Sequence, residues 1–151
     1  MVKMDYLDNA KNELRRAEHL LYVSLKYTRT VDVIRSIIER LINSLDNGID
    51  ALLEKVKRRR KTLEIPNTPR QKSELVKELY SKNEKIVKMM DFYLRLRDIL
   101  QAKYSRREEY RRHVTMVSNV GGEIVEVKID TLHEYYDKVK EFIELVQEEV
   151  K

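Results

Sequence analysis

The chain has 151 residues, enough for one domain with a single core, and 38% of them are charged while none is Cys. The absence of Cys excludes disulfides, zinc fingers and thiol catalysis. The net charge of +5 permits an anionic partner without requiring one. The high Lys, Arg and Glu content is typical of a cytosolic protein from a thermophile. Neither an apolar leader nor an apolar stretch of membrane length is visible, so we expect a cytoplasmic protein.

Apolar residues at three- and four-residue spacing predict two long helices in the first half of the chain. The first covers residues 6–27, and the second covers about residues 31–61. Gly48 lies inside the second helix, where a glycine is unfavourable unless another helix packs closely or the helix kinks. We therefore expect close packing or a kink at Gly48.

The second helix ends in a basic run, KVKRRRK, at residues 55–61. Cations suit the C-terminal end of a helix, so a solvated helix end is the simpler interpretation. The more specific interpretation is that the run contacts a nucleic-acid backbone. The candidate nucleic-acid contacts in this run are Lys55, Lys57, Arg58, Arg59, Arg60 and Lys61.

A third helix is predicted to begin at Pro69, because Thr68 suits the N-cap, Pro the first helical position and Gln71 the third. Its apolar stripe covers residues 75–100. The helix either continues past Tyr104 or breaks near Ser105, where a second capping-box pattern occurs, and the sequence does not decide between the two.

Residues 114–130 predict a small β-hairpin, because apolar and charged residues alternate there and Gly121-Gly122 suits a two-residue turn. A capping box at residues 131–134 then opens the last helix. The predicted fold class is all-α. We expect an antiparallel bundle of four to five helices, with the hairpin before the last helix and residues 1–151 as a single helical-bundle domain.

The candidate catalytic residues lie just before the hairpin. On a continuous helix Arg106, Tyr110 and His113 fall at i, i+4 and i+7 on one face, with Arg107 about 120° away from His113. An imidazole exchanges protons near neutral pH, and a guanidinium holds phosphate oxygens. These groups predict cleavage of an RNA phosphodiester in which the neighbouring 2′-hydroxyl is the nucleophile. Such a reaction needs no metal or cofactor. The simpler alternative is an exposed helix in which ordinary i,i+4 pairs join Glu and Arg or His.

At these residues the chain resembles the HEPN domain family, whose members are helical and often carry Arg-x(4–6)-His. Both Arg106-x6-His113 and Arg107-x5-His113 have this spacing. The opening YLDNAKNELRRAEHLLYVSLKY and the closing LHEYYDKVKEFIELVQEEV are similar to the first and last helices of the family. The resemblance implies a homodimer with facing motifs that binds or cleaves RNA. It also implies a nucleotidyltransferase-type partner in a toxin–antitoxin pair. Arg111 and Arg112 are further candidate RNA contacts.

An interaction module without catalysis is the alternative function. Its partner would be a protein, docked on the hairpin edge or on a helix stripe. The residues themselves also favour a homodimer, because the chain has nine Tyr, and a short hairpin has two edges that need cover.

Overall fold

The computed structural model describes residues 5–151, which form five helices and one three-stranded antiparallel sheet. Helix α1 spans Tyr6–His19 and continues through a π-helical turn, Leu20–Ser24, into Leu25–Tyr27. The other helices are α2 (Val31–Arg59), α3 (Pro69–Leu79), α4 (Glu84–Gln101) and α5 (Ile129–Glu149). The strands are β1 (Lys103–Arg107), β2 (Thr115–Val120) and β3 (Glu123–Val127). None of the helices in residues 5–151 combines the length and apolar character needed to cross a bilayer.

Helix α2 lies at the centre of the structure and packs against α1 and α5, with α3 and α4 also in contact. Its buried side chains recur at three- and four-residue spacing, which is the stripe that the sequence predicts. A Cβ added at Gly48 would lie 2.8 Å from a ring carbon of Phe142 on α5. The expected close packing at Gly48 is therefore confirmed, because only a residue without a side chain lets α5 approach this closely.

The all-α prediction is wrong in one respect, because a sheet of order β1-β2-β3 interrupts the helices. The hairpin of β2 and β3 is confirmed, with Gly121 and Gly122 at φ +58° and +92° in its turn. The additional strand β1 pairs antiparallel with β2, and Arg106 lies opposite Met116. All five residues of β1 are exposed, so no apolar alternation marked this strand in the sequence.

Two helix boundaries also differ from the sequence-based expectations. The predicted third helix is two helices, because α3 ends at Leu79 and the Asn83 side chain accepts the Ile86 N–H at 3.2 Å to start α4. The last helix begins at Ile129, so Thr131 is already inside it and accepts the Lys128 N–H. The N-cap at Thr68 is confirmed by its 3.2 Å bond from the Gln71 N–H.

The sheet packs against the helices of its own chain, and β2 is the strand that makes the contact. Ser118 is buried and its hydroxyl donates to the Ile99 carbonyl of α4 at 3.2 Å. Met116 and Val127, which face each other across β2 and β3, are fully buried in the core. A small antiparallel sheet needs a hydrophobic surface beneath it, and here the α2 and α4 side supplies that surface.

Candidate nucleic-acid interface

The predicted site residues fall on β1 and on the β1–β2 loop, which comprises residues 108–114. The loop consists of two consecutive turns: the Arg111 N–H donates to the Glu108 carbonyl at 3.2 Å, and the Val114 N–H donates to the Arg111 carbonyl at 3.1 Å. The Tyr110 N–H donates to the Arg29 carbonyl at 2.6 Å. This last bond fixes the loop against the connection between α1 and α2.

The prediction that Arg106, Tyr110 and His113 share one helical face is wrong. Helix α4 ends at Gln101, and Arg106 and Arg107 are consecutive residues of strand β1. Neighbouring side chains of a strand point to opposite faces of the sheet. Arg106 and Arg107 are therefore directed away from each other, and neither lies on a helix with Tyr110 or His113.

Arg106 connects β1 to the N-terminal end of α2. Its guanidinium lies 2.9 Å from an Asp32 carboxylate oxygen and 3.1 Å from an oxygen of Glu109. The other Glu109 oxygen accepts the Val31 N–H at 3.0 Å. Carboxylates are favourable at a helix N-terminus, where they complement the helix dipole. Hydrogen bonds to Asp32 and Glu109 raise the pKa of the Arg106 guanidinium, so this side chain stays a charged link between strand and helix.

Arg107 lies on the opposite face of the sheet and pairs across β2 with Glu126 of β3. The hydrogen bond from Arg107 lowers the pKa of the Glu126 carboxyl. Both arginines of the predicted motif therefore have carboxylate partners in the same chain, and these partners compete with a phosphate for the same guanidinium donors.

The loop contains two residues with a backbone conformation that is unusual for L-amino acids. Glu108 has φ +54° and Tyr110 has φ +66°, although neither is glycine. Such left-handed residues cost about 1 kcal/mol or more each and persist where surrounding contacts hold them. The bond of Glu109 to the start of α2 and the bond of Tyr110 to the α1–α2 connection are such contacts. The Tyr110 side chain is nevertheless 79% exposed, so burial of its ring does not explain the strained backbone conformation.

Three cationic or titratable side chains of the loop have no carboxylate partner within residues 5–151. They are Arg111, Arg112 and His113, and all three are exposed. The neighbouring Val114 is buried in the core and anchors this segment of the loop. The side chains of Arg111, Arg112 and His113 therefore project from an anchored backbone. An arginine without an internal partner presents its full set of donors to a phosphate.

The basic run at residues 55–61 lies at the other end of α2. The 29 residues from Val31 to Arg59 make α2 about 42 Å long, and the β1–β2 loop is attached at the opposite end of this helix. Lys55 and Lys57 donate to the main-chain carbonyls of Glu149 and Leu63. Arg58 pairs with Glu54 at 2.8 Å, while Arg59, Arg60 and Lys61 are exposed. The structure does not bring the two predicted groups of RNA contacts together.

The sequence did not single out Arg29, which contacts the loop, or the exposed Tyr27 two residues before it. Tyr27 ends α1 and is 81% exposed, and the Arg29 carbonyl is the acceptor for Tyr110. A tyrosine on the exposed side of a helix end was the available signal, but the proximity of residues 27–29 to residue 110 depends on tertiary structure.

A polar cavity of about 290 Å³ lies between α2, α3 and α4, and its lining includes Asp46, Asp50, Lys72, Tyr93 and Arg97. Burial raises the pKa of the Asp46 carboxyl, which accepts a hydrogen bond from Tyr93. Lys72 lies 2.8 Å from Asp50. The charges in this lining are paired with one another, so the cavity offers no uncompensated charge to a ligand. No group of three or more His, Asp or Glu suited to a metal ion occurs in the described part of the chain.

Comparisons with protein-family models, with curated proteins and with solved structures find no match to this chain.

We predict that Glu109→Ala lowers the free energy of unfolding by about 1 kcal/mol, because it removes the acceptor for the Val31 N–H at the start of α2. The Val31 amide should exchange with solvent faster than in the parent protein. Glu108→Ala is the matched control, since Glu108 is exposed and its change should stay within about 0.5 kcal/mol. Equal stability of both variants with unchanged exchange at Val31 would contradict the assigned role.

Proposed function

We propose that this chain is a HEPN-like RNA-binding domain and that it binds RNA with the β1–β2 loop. The observation that carries the proposal is the anchored loop with Arg111, Arg112 and His113 exposed beside one another and without carboxylate partners in residues 5–151. Arginine donates to phosphate oxygens in bidentate pairs, and neutralising phosphates releases counterions from the RNA. These cations favour a polyanionic partner over a neutral protein surface.

The second basic group, at residues 55–61, contributes to the same RNA only if that RNA spans about 42 Å. We therefore propose the β1–β2 loop as the primary contact. Residues Arg59, Arg60 and Lys61 are a separate contact for a long RNA, because their side chains are exposed at the far end of α2.

We further propose metal-independent RNA cleavage at the same loop, as the HEPN resemblance implies. His113 would take the proton of a 2′-hydroxyl while that oxygen forms a bond to phosphorus. The bond from phosphorus to the 5′ oxygen then breaks, and the 5′ oxygen takes a proton from water. Arg106 or Arg107 would hold the phosphate after exchanging a carboxylate partner for it, with Tyr110 in support.

The HEPN resemblance is the basis for three further proposals: a homodimer, a nucleotidyltransferase-type partner and a toxin–antitoxin role. One face of the hairpin lies on α2 and α4 of its own chain, and β1 covers the β2 edge, so the argument from uncovered edges now concerns β3, which remains an edge strand. On the outer face of the sheet Ile124 is 60% exposed, and this face is the surface that the alternative protein-interaction function would use.

For RNA binding, we predict that the double variant Arg111→Ala/Arg112→Ala weakens binding and reduces the salt dependence. The slope of log K against log salt concentration should become shallower by about 1.4, because two contacts to single-strand phosphates are lost. Fluorescence anisotropy of a labelled RNA at several salt concentrations measures this. The matched control is Arg59→Ala/Arg60→Ala, which removes the same charge at the other end of α2 and should leave binding of a short RNA unchanged.

Two results would count against the binding proposal. A loss of affinity in the Arg59/Arg60 variant alone would place the contact at the end of α2. Undetectable binding by the parent protein at low salt would favour the protein-interaction module instead.

For cleavage, we predict that the parent protein cuts labelled RNA in the presence of EDTA and leaves 2′,3′-cyclic phosphate and 5′-hydroxyl ends. His113→Ala should slow the reaction by about 100-fold or more, since it removes the general acid–base group. His19→Ala is the control, because His19 is exposed on α1 outside the loop. Equal cleavage by the parent and His113→Ala, or none by either, removes the catalytic claim and leaves the binding proposal intact.

A further inference from the structure

The two most exposed large hydrophobic side chains among the described residues are both tyrosines, and a backbone hydrogen bond joins the chain segments that carry them. Tyr27 is 81% exposed at the end of α1, and Tyr110 is 79% exposed in the β1–β2 loop. The hydrogen bond from the Tyr110 N–H to the Arg29 carbonyl brings the two chain segments together. Tyr22, at 53% exposure, instead packs edge-on against His133 and Tyr136 of α5.

The local backbone holds Tyr110 outward in a defined way. Its φ of +66° is unfavourable for a side chain, yet the loop retains it through its bonds to Arg29 and Val31. Tyr27 lies three residues after the π-helical turn of α1, and such turns are frequent at functional sites. Both rings are thus fixed at their backbones and uncovered at their faces.

The charges around the two rings decide which partner fits them. Lys26, Arg111 and Arg112 are exposed next to the tyrosines in the chain and form no ion pair within residues 5–151, so they outnumber Glu108, the exposed carboxylate of the loop that is likewise unpaired there. A partner therefore needs flat apolar groups to stack on the rings and negative charges to meet the cations. Single-stranded nucleic acid has both, because its bases are open for stacking and its phosphates are close by. In a duplex the base faces are already stacked on one another.

We propose that Tyr27 and Tyr110 form a stacking platform for unpaired bases, so that the RNA bound by the loop is single-stranded. This inference rests on the proposed RNA binding and narrows its substrate class. Arg111 and Arg112 contact the backbone phosphates, while the two tyrosines contact bases and discriminate against duplex RNA. Tyrosine suits this task, because a large flat surface is held by only two rotatable side-chain bonds.

The test compares a labelled ten-nucleotide RNA with its duplex by fluorescence anisotropy. The parent protein should bind the single strand more tightly than the duplex. Tyr27→Ala/Tyr110→Ala should weaken single-strand binding about tenfold or more and leave duplex binding unchanged. Tyr27→Phe/Tyr110→Phe keeps both rings and should bind within about threefold of the parent protein. Both tyrosines are exposed, so circular dichroism melts of the variants should match that of the parent protein.

Three outcomes would overturn the inference. If the Ala pair binds the single strand as well as the parent protein, or if the duplex binds equally tightly, base stacking is wrong while RNA binding stands. If the Phe pair loses as much affinity as the Ala pair, the hydroxyls and not the rings make the contact. If the parent protein binds neither RNA form at low salt, the proposed function fails as well, and the patch has a protein partner.

Discussion

The position of the candidate interface depends on one contact, the Glu109 carboxylate at the N-terminus of α2. One oxygen of Glu109 accepts the Val31 N–H, and the other pairs with Arg106, which also pairs with Asp32. A helix N-terminus has unsatisfied N–H groups, and an acidic side chain from elsewhere in the chain satisfies one of them here. Strand β1 and the β1–β2 loop are thereby joined to the central helix of the core. The arginines that resemble a catalytic pair thus serve first as structural links.

This arrangement divides the basic residues by role. Arg106 and Arg107 are neutralised by carboxylates of the same chain, on opposite faces of the sheet. Arg111 and Arg112 are exposed and unpaired in the described residues, and they directly follow the exposed Tyr110 in the loop. The geometry therefore supports binding of a flexible polyanion more directly than it supports a preorganised catalytic centre, which requires fixed donors around the reacting atoms. Cleavage at His113 requires a rearrangement of at least one ion pair.

The sequence predicted those elements whose signal is local. The stripes of α1, α2 and α5, the N-cap at Thr68 and the Gly121-Gly122 turn all follow from spacing or turn chemistry. Strand β1 was missed because its five exposed residues have no apolar alternation, so only pairing with β2 makes it a strand. Residues 110–113 are exposed, as a candidate contact requires, and their role as a site stays a prediction. The segment of Tyr27 and Arg29 meets the β1–β2 loop through a contact between residues about 80 positions apart in the chain, and no local pattern encodes such a contact.

The central claim is that RNA contacts the β1–β2 loop and the end of α1. The most direct measurement is a titration of ¹⁵N-labelled protein with a short single-stranded RNA, followed by amide chemical shifts residue by residue. We expect the largest shift changes at Tyr27, Arg29 and residues 110–113, with a smaller effect at the Val31 amide. Shift changes confined to Arg59, Arg60 and Lys61 or to the outer face of the sheet around Ile124, with the loop unaffected, would contradict it.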